Sequence, residues 1–98
     1  MLFVVRFMDR VECAEIRRAK LAEHISWLNE RRETILVAGS LRECPEGAPI
    51  GAFWIVEAES KSDVEKLYLS DPFWMSGLRN GVEILHWSKA FPNEKTPV

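Results

Sequence analysis

Four apolar segments and two helical patterns follow one another along the chain, and their order limits the folds it can adopt. The apolar segments are rich in β-branched and aromatic residues, which is typical of strands. They are Leu2–Met8, Thr34–Leu41, Ile50–Ala58 and Val82–Phe91. The order β-α-β-β-α-β predicts an α+β, ferredoxin-like fold, in which a four-stranded antiparallel sheet carries both helices on one face.

The helical patterns are marked by apolar spacing and by helix-start residues. A long helix is predicted from Cys13 to Arg32, where apolar residues recur at helical spacing among charged ones. Its apolar stripe is Ala14, Leu21, Ile25 and Leu28. A shorter helix is expected to begin at Ser60 or Ser62, the latter in a capping-box pattern. Asp71-Pro72 is a further helix-start signal, which predicts helical turns from Pro72 to about Arg79.

Glycine and proline predict where the strands bend and end. Gly39 suggests a bulge or a close backbone approach in the second strand. Arg42–Pro49 contains two prolines and a glycine and is predicted to be a loop. Ile50–Ala58 is the most apolar strand, so we expect it in the middle of the sheet.

Length and charge exclude several classes of protein. A chain of 98 residues can bury one core, so we expect a single domain over residues 1–91 and a polar tail over residues 92–98. The net charge of −2 argues against a nucleic-acid partner. No apolar run is long enough to span a membrane. The N-terminus lacks the features of a signal peptide, so we expect a cytoplasmic protein.

An uncovered sheet face and many aromatic rings together predict self-association. Both helices lie on one face of the predicted sheet, and a small domain cannot leave the other apolar face in water. We therefore expect a homodimer or higher homo-oligomer that associates through the sheet.

Metal and cofactor motifs are lacking. Cys13 and Cys44 form no C-x-x-C pair and have no histidine at ligand spacing, so no metal site is predicted. The glycines form no phosphate-binding motif, so no cofactor is predicted either.

Two residues are candidates for acid-base chemistry. His24 lies at the border of the apolar stripe, with Arg17 and Arg31 two turns away on the same side, as expected of a base that acts on an anionic substrate. The alternative is a boundary histidine that binds a carbonyl. Asp71 is explained as a helix N-cap, but its second carboxylate oxygen is free to hold an imidazole.

Several aromatic rings could line a small-molecule pocket. The candidates are Trp27, Trp54, Phe73, Trp74 and Trp87. Apolar cavities with a few polar groups are the usual sites for small ligands. Core packing is the alternative for each ring.

The order of several motifs resembles the YCII-related (YciI-like) family, over residues from about Leu2 to Phe91. The motifs are Arg17 seven residues before His24, Ala38-Gly39, Gly51 after a glycine-containing loop, Asp71-Pro72-Phe73 and a strand ending near Trp87. The resemblance implies a dimer related to the dimeric α/β-barrel proteins and muconolactone isomerase, with an active site at His24 and Asp71. One branch of the family includes a dehydrochlorinase of a chlorinated hydroxyhydroquinone. The family usually has Gly-Pro where this chain has Gly39-Ser40.

Together these observations predict a cofactor-independent isomerase or lyase that acts on a small anionic or phenolic ring compound. His24 would be the general acid and base, Asp71 its orienting partner and Arg17 a stabiliser of negative charge. Ser40, Trp54, Phe73 and Trp87 would shape the substrate pocket, and the loop Arg42–Pro49 could close over it. The alternatives are a non-catalytic ligand-binding or interaction module and a cofactor-free oxygenase.

Overall fold

The structure, a computed structural model, describes residues 1–93 and contains the predicted elements in the predicted order. The strands are β1 (Leu2–Asp9), β2 (Ile35–Leu41), β3 (Gly51–Glu57) and β4 (Arg79–Trp87). The helices are α1 (Ala14–Asn29), α2 (Lys61–Tyr68) and α3 (Pro72–Met75), and a short 3-10 helix, Val11–Cys13, precedes α1. Of the predicted tail, residues 94–98 lie outside the described part of the chain.

All neighbouring strands pair antiparallel in the order β2-β3-β1-β4, which confirms the ferredoxin-like α+β fold. The prediction that the third strand lies inside the sheet is also confirmed. Gly51 is at its start, where an added Cβ would overlap the carbonyl oxygen of Phe7. Gly39 has open space around it, and the β2–β3 register shifts between Ile35 and Val37 instead. The bulge predicted at Gly39 was therefore misplaced.

Alternation along β1 separates the two faces of the sheet. Phe3, Val5 and Phe7 are fully buried on the face covered by the helices. The opposite face has no cover among residues 1–93. It is largely apolar and carries Leu2, Val4, Met8, Val37, Leu41, Phe53, Ile55, Leu85 and Trp87.

Helix α1 turns a different side inward from the one predicted. Its buried residues are His24 and Trp27, whereas Leu21 and Ile25 are 45% and 56% exposed. Ala14 is exposed, whereas Leu28 is half-buried and packs against the core, so of the predicted stripe only Leu28 faces the core. The cause is that α1 packs closely on α3 and stands away from β2, which leaves the aliphatic side chains at the edge of a cavity.

Helix α2 is capped at its N-terminus by Ser60, whose hydroxyl accepts a hydrogen bond from the Asp63 N–H at 3.2 Å. Ser62 lies inside the helix, so the capping box predicted there is wrong and the alternative at Ser60 is confirmed. Val64 and Tyr68 are the buried residues of this helix. No helix among residues 1–93 is both long enough and apolar enough to cross a membrane.

Helix α3 is one turn long and ends earlier than predicted. Gly77 has a φ of +81°, and its N–H bonds the Trp74 carbonyl at 3.1 Å. The Leu78 N–H bonds the Phe73 carbonyl at 3.1 Å, which completes a Schellman C-cap. The chain therefore leaves the helix at Gly77, and β4 covers Arg79–Trp87. The predicted helix starts correctly at Pro72 but ends about four residues too late, and the predicted strand Val82–Phe91 lies about three to four residues too far along the chain.

Candidate active site

Asp71 caps the N-terminus of α3 and binds His24, which lies in the second half of α1. The two residues are 47 positions apart in sequence, yet His24 Nδ1 lies 2.6 Å from Asp71 Oδ1. The same Oδ1 accepts the Phe73 N–H at 3.0 Å, as the predicted N-cap requires. Asp71 Oδ1 therefore makes both contacts, whereas the sequence predicts that one carboxylate oxygen caps the helix and the other bonds the imidazole. Asp71 Oδ2 is buried without a hydrogen-bond partner among the described residues.

Hydrogen bonding to a carboxylate selects one tautomer of the imidazole. An ionised carboxylate can only accept hydrogen bonds, so the proton between the two residues belongs to His24 Nδ1. Nε2 then carries a lone pair, and no protein group among residues 1–93 bonds it. An imidazole held in this way can accept a proton at Nε2 and return it, while the carboxylate stabilises the charged ring.

Phe73 holds the other side of the imidazole. Its ring stacks on His24 with centroids 3.9 Å apart and planes 14° apart. Because Phe73 is fully buried, the stack excludes water from one face of the histidine. The Asp71-Pro72-Phe73 turn thus supplies both the hydrogen bond and the flat contact that orient His24.

A second buried ionic group lies beside this pair. Asp9, at the end of β1, accepts hydrogen bonds from Arg17 Nη2 at 2.5 Å and from Arg79 Nη1 at 2.6 Å. Asp9 and Arg79 are paired in the β1–β4 register, so the sheet itself brings them together. The guanidinium of Arg79 also lies over the rings of Phe7 and Phe73, at 4.7 and 5.2 Å from their centroids.

Burial lowers the pKa of Arg79 from its usual value, and the hydrogen bond and charge of Asp9 oppose that shift. The charge of Asp71 also favours the protonated guanidinium, while the charge of Arg17 disfavours it. Arginine stays protonated under such conditions because its ordinary pKa is so high. The site therefore contains a fixed positive charge close to the Asp71 carboxylate.

His24 lines a cavity of about 220 Å³ between α1 and the β2–β3 half of the sheet, and Asp71 holds the imidazole without itself lining the cavity. Four of the five residues predicted to bind substrate line it together with His24; these are Arg17, Ser40, Trp54 and Phe73. Arg42 and Pro49, from the two ends of the predicted loop, line its rim. The cavity thus combines apolar walls, arginines and one histidine.

Trp87 does not line this cavity. It alternates with His86 along β4, and the register places it opposite Leu2 on the uncovered face of the sheet. Trp87 and His86 border a separate depression that also includes Met1 and Pro92. Trp27 and Trp74 are also absent from the cavity wall, because Trp27 packs on Trp54 and Trp74 packs on Tyr68.

Sequence reasoning missed Asp9, Arg42 and Arg79. The sequence pattern predicts Arg79 at the end of a helix, and that position gives no indication of its pairing with Asp9. The signal that could have revealed it is Gly77, which can end a helix and so allow a strand to start two residues later. An aspartate at the end of the first strand and an arginine at the start of the last then meet in an antiparallel pair.

Neither cysteine belongs to the site. Both thiols are free; Cys13 is half-buried and Cys44 is exposed. No cluster of three or more metal-ligating side chains was found in the part of the chain that the structure describes.

Fold and site together define a class of protein: a small ferredoxin-like domain with a buried histidine–carboxylate pair at a cavity between its long helix and its sheet. Residues 1–88 match the model of the YCII-related domain, and the chain belongs to the YCII-related family.

Several solved structures resemble this chain. The 5-chloro-2-hydroxyhydroquinone dehydrochlorinase from Burkholderia phenoliruptrix, in complex with 2,5-dihydroxybenzoquinone, has 29% identity and a TM-score of 0.81 and covers 90% of this chain and 94% of its own. A protein from Bacteroides thetaiotaomicron, assigned as an antibiotic biosynthesis monooxygenase, has 18% identity, a TM-score of 0.58 and coverages of 98% and 94%. The cofactor-independent oxygenase SnoaB from Streptomyces nogalater has 16% identity, a TM-score of 0.51 and coverages of 93% and 95%. The last two show a shared fold alone. No curated protein matches the chain.

Proposed function

We propose that this chain is a cofactor-independent enzyme that moves protons on a small phenolic or anionic ring compound, as a lyase of the dehydrochlorinase type. The observation that carries the proposal is the hydrogen bond between His24 Nδ1 and the buried Asp71 carboxylate, which leaves Nε2 available at a cavity wall. The likeness to a dehydrochlorinase of the same family supports the choice of reaction.

Each residue has a separate role in this proposal. His24 is the general acid and base, and Asp71 orients it and stabilises its charged form. Arg17 and Arg79 place positive charge near the cavity, which stabilises a phenolate or enolate as it develops. Trp54 and Phe73 provide flat apolar walls that suit a ring, and Ser40 contributes a hydroxyl.

Loss of HCl from a chlorinated trihydroxybenzene divides into two proton transfers that one imidazole can carry. First, Nε2 takes a hydroxyl proton and returns it to the ring carbon that bears chlorine, so an O–H bond is exchanged for a C–H bond and the hydroxyl becomes a carbonyl. Next, a second hydroxyl proton passes to Nε2 while the C–Cl bond breaks and chloride leaves with its electron pair. The products are a hydroxyquinone, a proton and chloride, so no external oxidant is needed.

Chloride release under anaerobic conditions tests the proposal. The purified chain is mixed with 5-chloro-2-hydroxyhydroquinone, and free chloride and the quinone absorbance are followed against a sample without protein. Catalysed release of chloride without oxygen supports the lyase. Oxygen uptake without chloride release would indicate a cofactor-free oxygenase, and binding without either would indicate a ligand-binding module; both results would overturn the proposal.

We also propose that the active form is a homodimer associated through the uncovered face of the sheet. The support is the apolar surface of that face, which includes Val4, Ile55 and Leu85, because contiguous apolar patches on a small domain mark interaction sites. The face also carries both signs of charge, on Arg6 and Glu83, so a two-fold related copy could pair them.

A further inference from the structure

The guanidinium of Arg79 is buried with at least three of its five N–H donors unused among the described residues. Its side chain is 1% exposed, and only Nη1 has a partner, at Asp9. Nε and Nη2 have none among the described residues. Buried donors are almost always bonded in native proteins, because an unpaired donor loses its hydration without compensation. Two such donors on one cationic group indicate that a binding partner belongs there.

The two free donors have the geometry of a specific recognition site. Nε–H and one Nη2–H point in parallel from the same edge of the planar guanidinium, and this edge matches two oxygens of a carboxylate or of an ionised hydroxyquinone. Arg79 also lines the cavity beside His24. The rings of Phe7 and Phe73 hold the plane of the guanidinium, and Asp9 holds its Nη1 end. The unused edge is therefore fixed in direction before any ligand arrives.

The charges around the cavity point to the same class of ligand. Its lining, within residues 1–93, includes three arginines, Arg17, Arg42 and Arg79, and no carboxylate. Arg17 bonds Asp9 through Nη2 at 2.5 Å, and its side chain is 17% exposed, so water can satisfy its other donors. Arg42 is exposed at the rim and donates to the Gly47 carbonyl. Of the three, Arg79 combines full burial with free donors.

We propose that Arg79 is the residue that recognises the anionic oxygens of the substrate, and that Asp9 is its positioning residue. The ligand class is a planar ring compound that presents two neighbouring oxygens sharing one negative charge. This inference rests on the proposed function, because it assigns the substrate class of the same site. It moves anion recognition from Arg17, which the sequence favoured, to Arg79.

Matched pairs of ring compounds test this assignment without any turnover. The pairs are benzoate with benzamide, and 2,5-dihydroxybenzoate with its amide, measured by calorimetric titration. The wild-type chain should bind each anion at least about tenfold more tightly than its neutral partner, because charge-assisted bidentate hydrogen bonds are lost with the amide. In the Arg79→Lys variant, which keeps the charge but not the parallel donors, that preference should fall by about tenfold.

Arg31→Lys is the matched control. The guanidinium of Arg31 also lies over an aromatic ring, 4.3 Å from the centroid of Trp27, and its Nη1 donates to the Trp27 carbonyl. Arg31 does not line the cavity. This variant should keep the wild-type preference. The assignment would be overturned if the wild-type chain bound anion and amide equally, or if a folded Arg79→Lys chain kept the preference for the anion. It would also be overturned if the wild-type chain bound none of the four compounds at millimolar concentration.

Should Arg79→Lys fail to fold, the Nε–H resonance of Arg79 in the wild-type chain gives a second readout. Benzoate should shift this resonance and benzamide should not, and a resonance that neither compound moves overturns the assignment. The test also separates this inference from the proposed reaction. A chain that selects benzoate through Arg79 but releases no chloride would refute the reaction and keep the assignment of Arg79.

Discussion

The imidazole of His24 stacks on the ring of Phe73 with the two planes only 14° apart, whereas the other histidine, His86, meets Phe3 at 46°. The difference arises from α3, where the residue that caps the helix also bonds His24 Nδ1 and the ring two positions later covers the imidazole. The two histidines therefore provide a comparison within one chain, since one is held on two sides and the other lies exposed on β4.

Replacing Asp71 separates its two roles. In the Asp71→Asn variant, the new amide oxygen can still accept the Phe73 N–H, but the side chain lacks the charge that stabilises a protonated imidazole. We expect this variant to lose about 100-fold or more in kcat while α3 stays capped. Asp71→Ala should lose activity to a similar degree and should also lose about 1 kcal/mol of stability, because the helix cap is removed.

Steady-state kinetics and urea denaturation of both variants test these expectations. Wild-type kcat in a folded Asp71→Asn chain would mean that the carboxylate serves the helix cap alone.

Phe73→Leu tests the stacking contact. We expect it to cost about 1–2 kcal/mol of unfolding free energy and to lower kcat by about tenfold, because the imidazole loses one of its two supports. Phe3→Leu is the matched control, since Phe3 is equally buried and contacts His86 instead. Phe3→Leu should lower the unfolding free energy by a similar amount to Phe73→Leu and leave kcat unchanged. Equal losses of kcat in the two variants would contradict a specific role for the stack.

Tyr68 should make stability depend on pH in the alkaline range. Burial, and to a smaller degree the charge of Glu65, raise the pKa of Tyr68 above its usual value of 10.0. The folded chain thus favours the neutral phenol. The stability that the folded chain gains from the neutral phenol is fully present below the pKa that Tyr68 has in the unfolded chain. It is lost as the pH rises through the higher pKa of Tyr68 in the folded chain.

Tyr68→Phe is the variant that reveals this effect. It keeps the ring packed against Phe7 and Trp74 but cannot ionise. The stability difference between wild type and variant, from urea denaturation, should be constant below about pH 10 and should shift in favour of the variant above it. A difference that stays constant through the alkaline range would show that the phenol does not titrate as its burial requires.

The sheet face can be tested with two leucines of equal exposure. Leu85 is on the uncovered face and is 51% exposed, whereas Leu69 follows α2 and is 52% exposed. Leu85→Glu should convert a dimer of the 11.3 kDa chain into monomers, because a charge is placed in the interface, and Leu69→Glu should not. Sedimentation equilibrium measures both. A monomeric wild-type chain at micromolar concentration would contradict the proposed dimer.

The element order could be predicted because strands and helices impose different periods on the sequence. The errors in element bounds are largest between residues 76 and 82. There the choice between Gly77 and Asn80-Gly81 as the end of the helix depends on backbone geometry. The inward-facing side of helix α1 differs from the predicted one for another reason. Its aliphatic residues border a cavity and His24 faces inward, so hydrophobicity alone points to the wrong side.

The site was partly predictable. Asp71 is marked by the proline that follows it, and the family resemblance joined it to His24. No local pattern could show that one carboxylate oxygen serves both the cap and the imidazole, or that Arg79 has unused donors. Those features arise where α1, α3 and two strand ends meet, and they depend on packing between residues far apart in sequence.

The most direct test of the His24–Asp71 site is anaerobic chloride release from 5-chloro-2-hydroxyhydroquinone by the wild type, His24→Gln and His86→Gln. These are the two histidines of the chain, so each variant controls for the other. We expect His24→Gln to lose about 100-fold or more in kcat and His86→Gln to keep the wild-type rate. A folded His24→Gln chain that releases chloride at the wild-type rate would contradict this expectation.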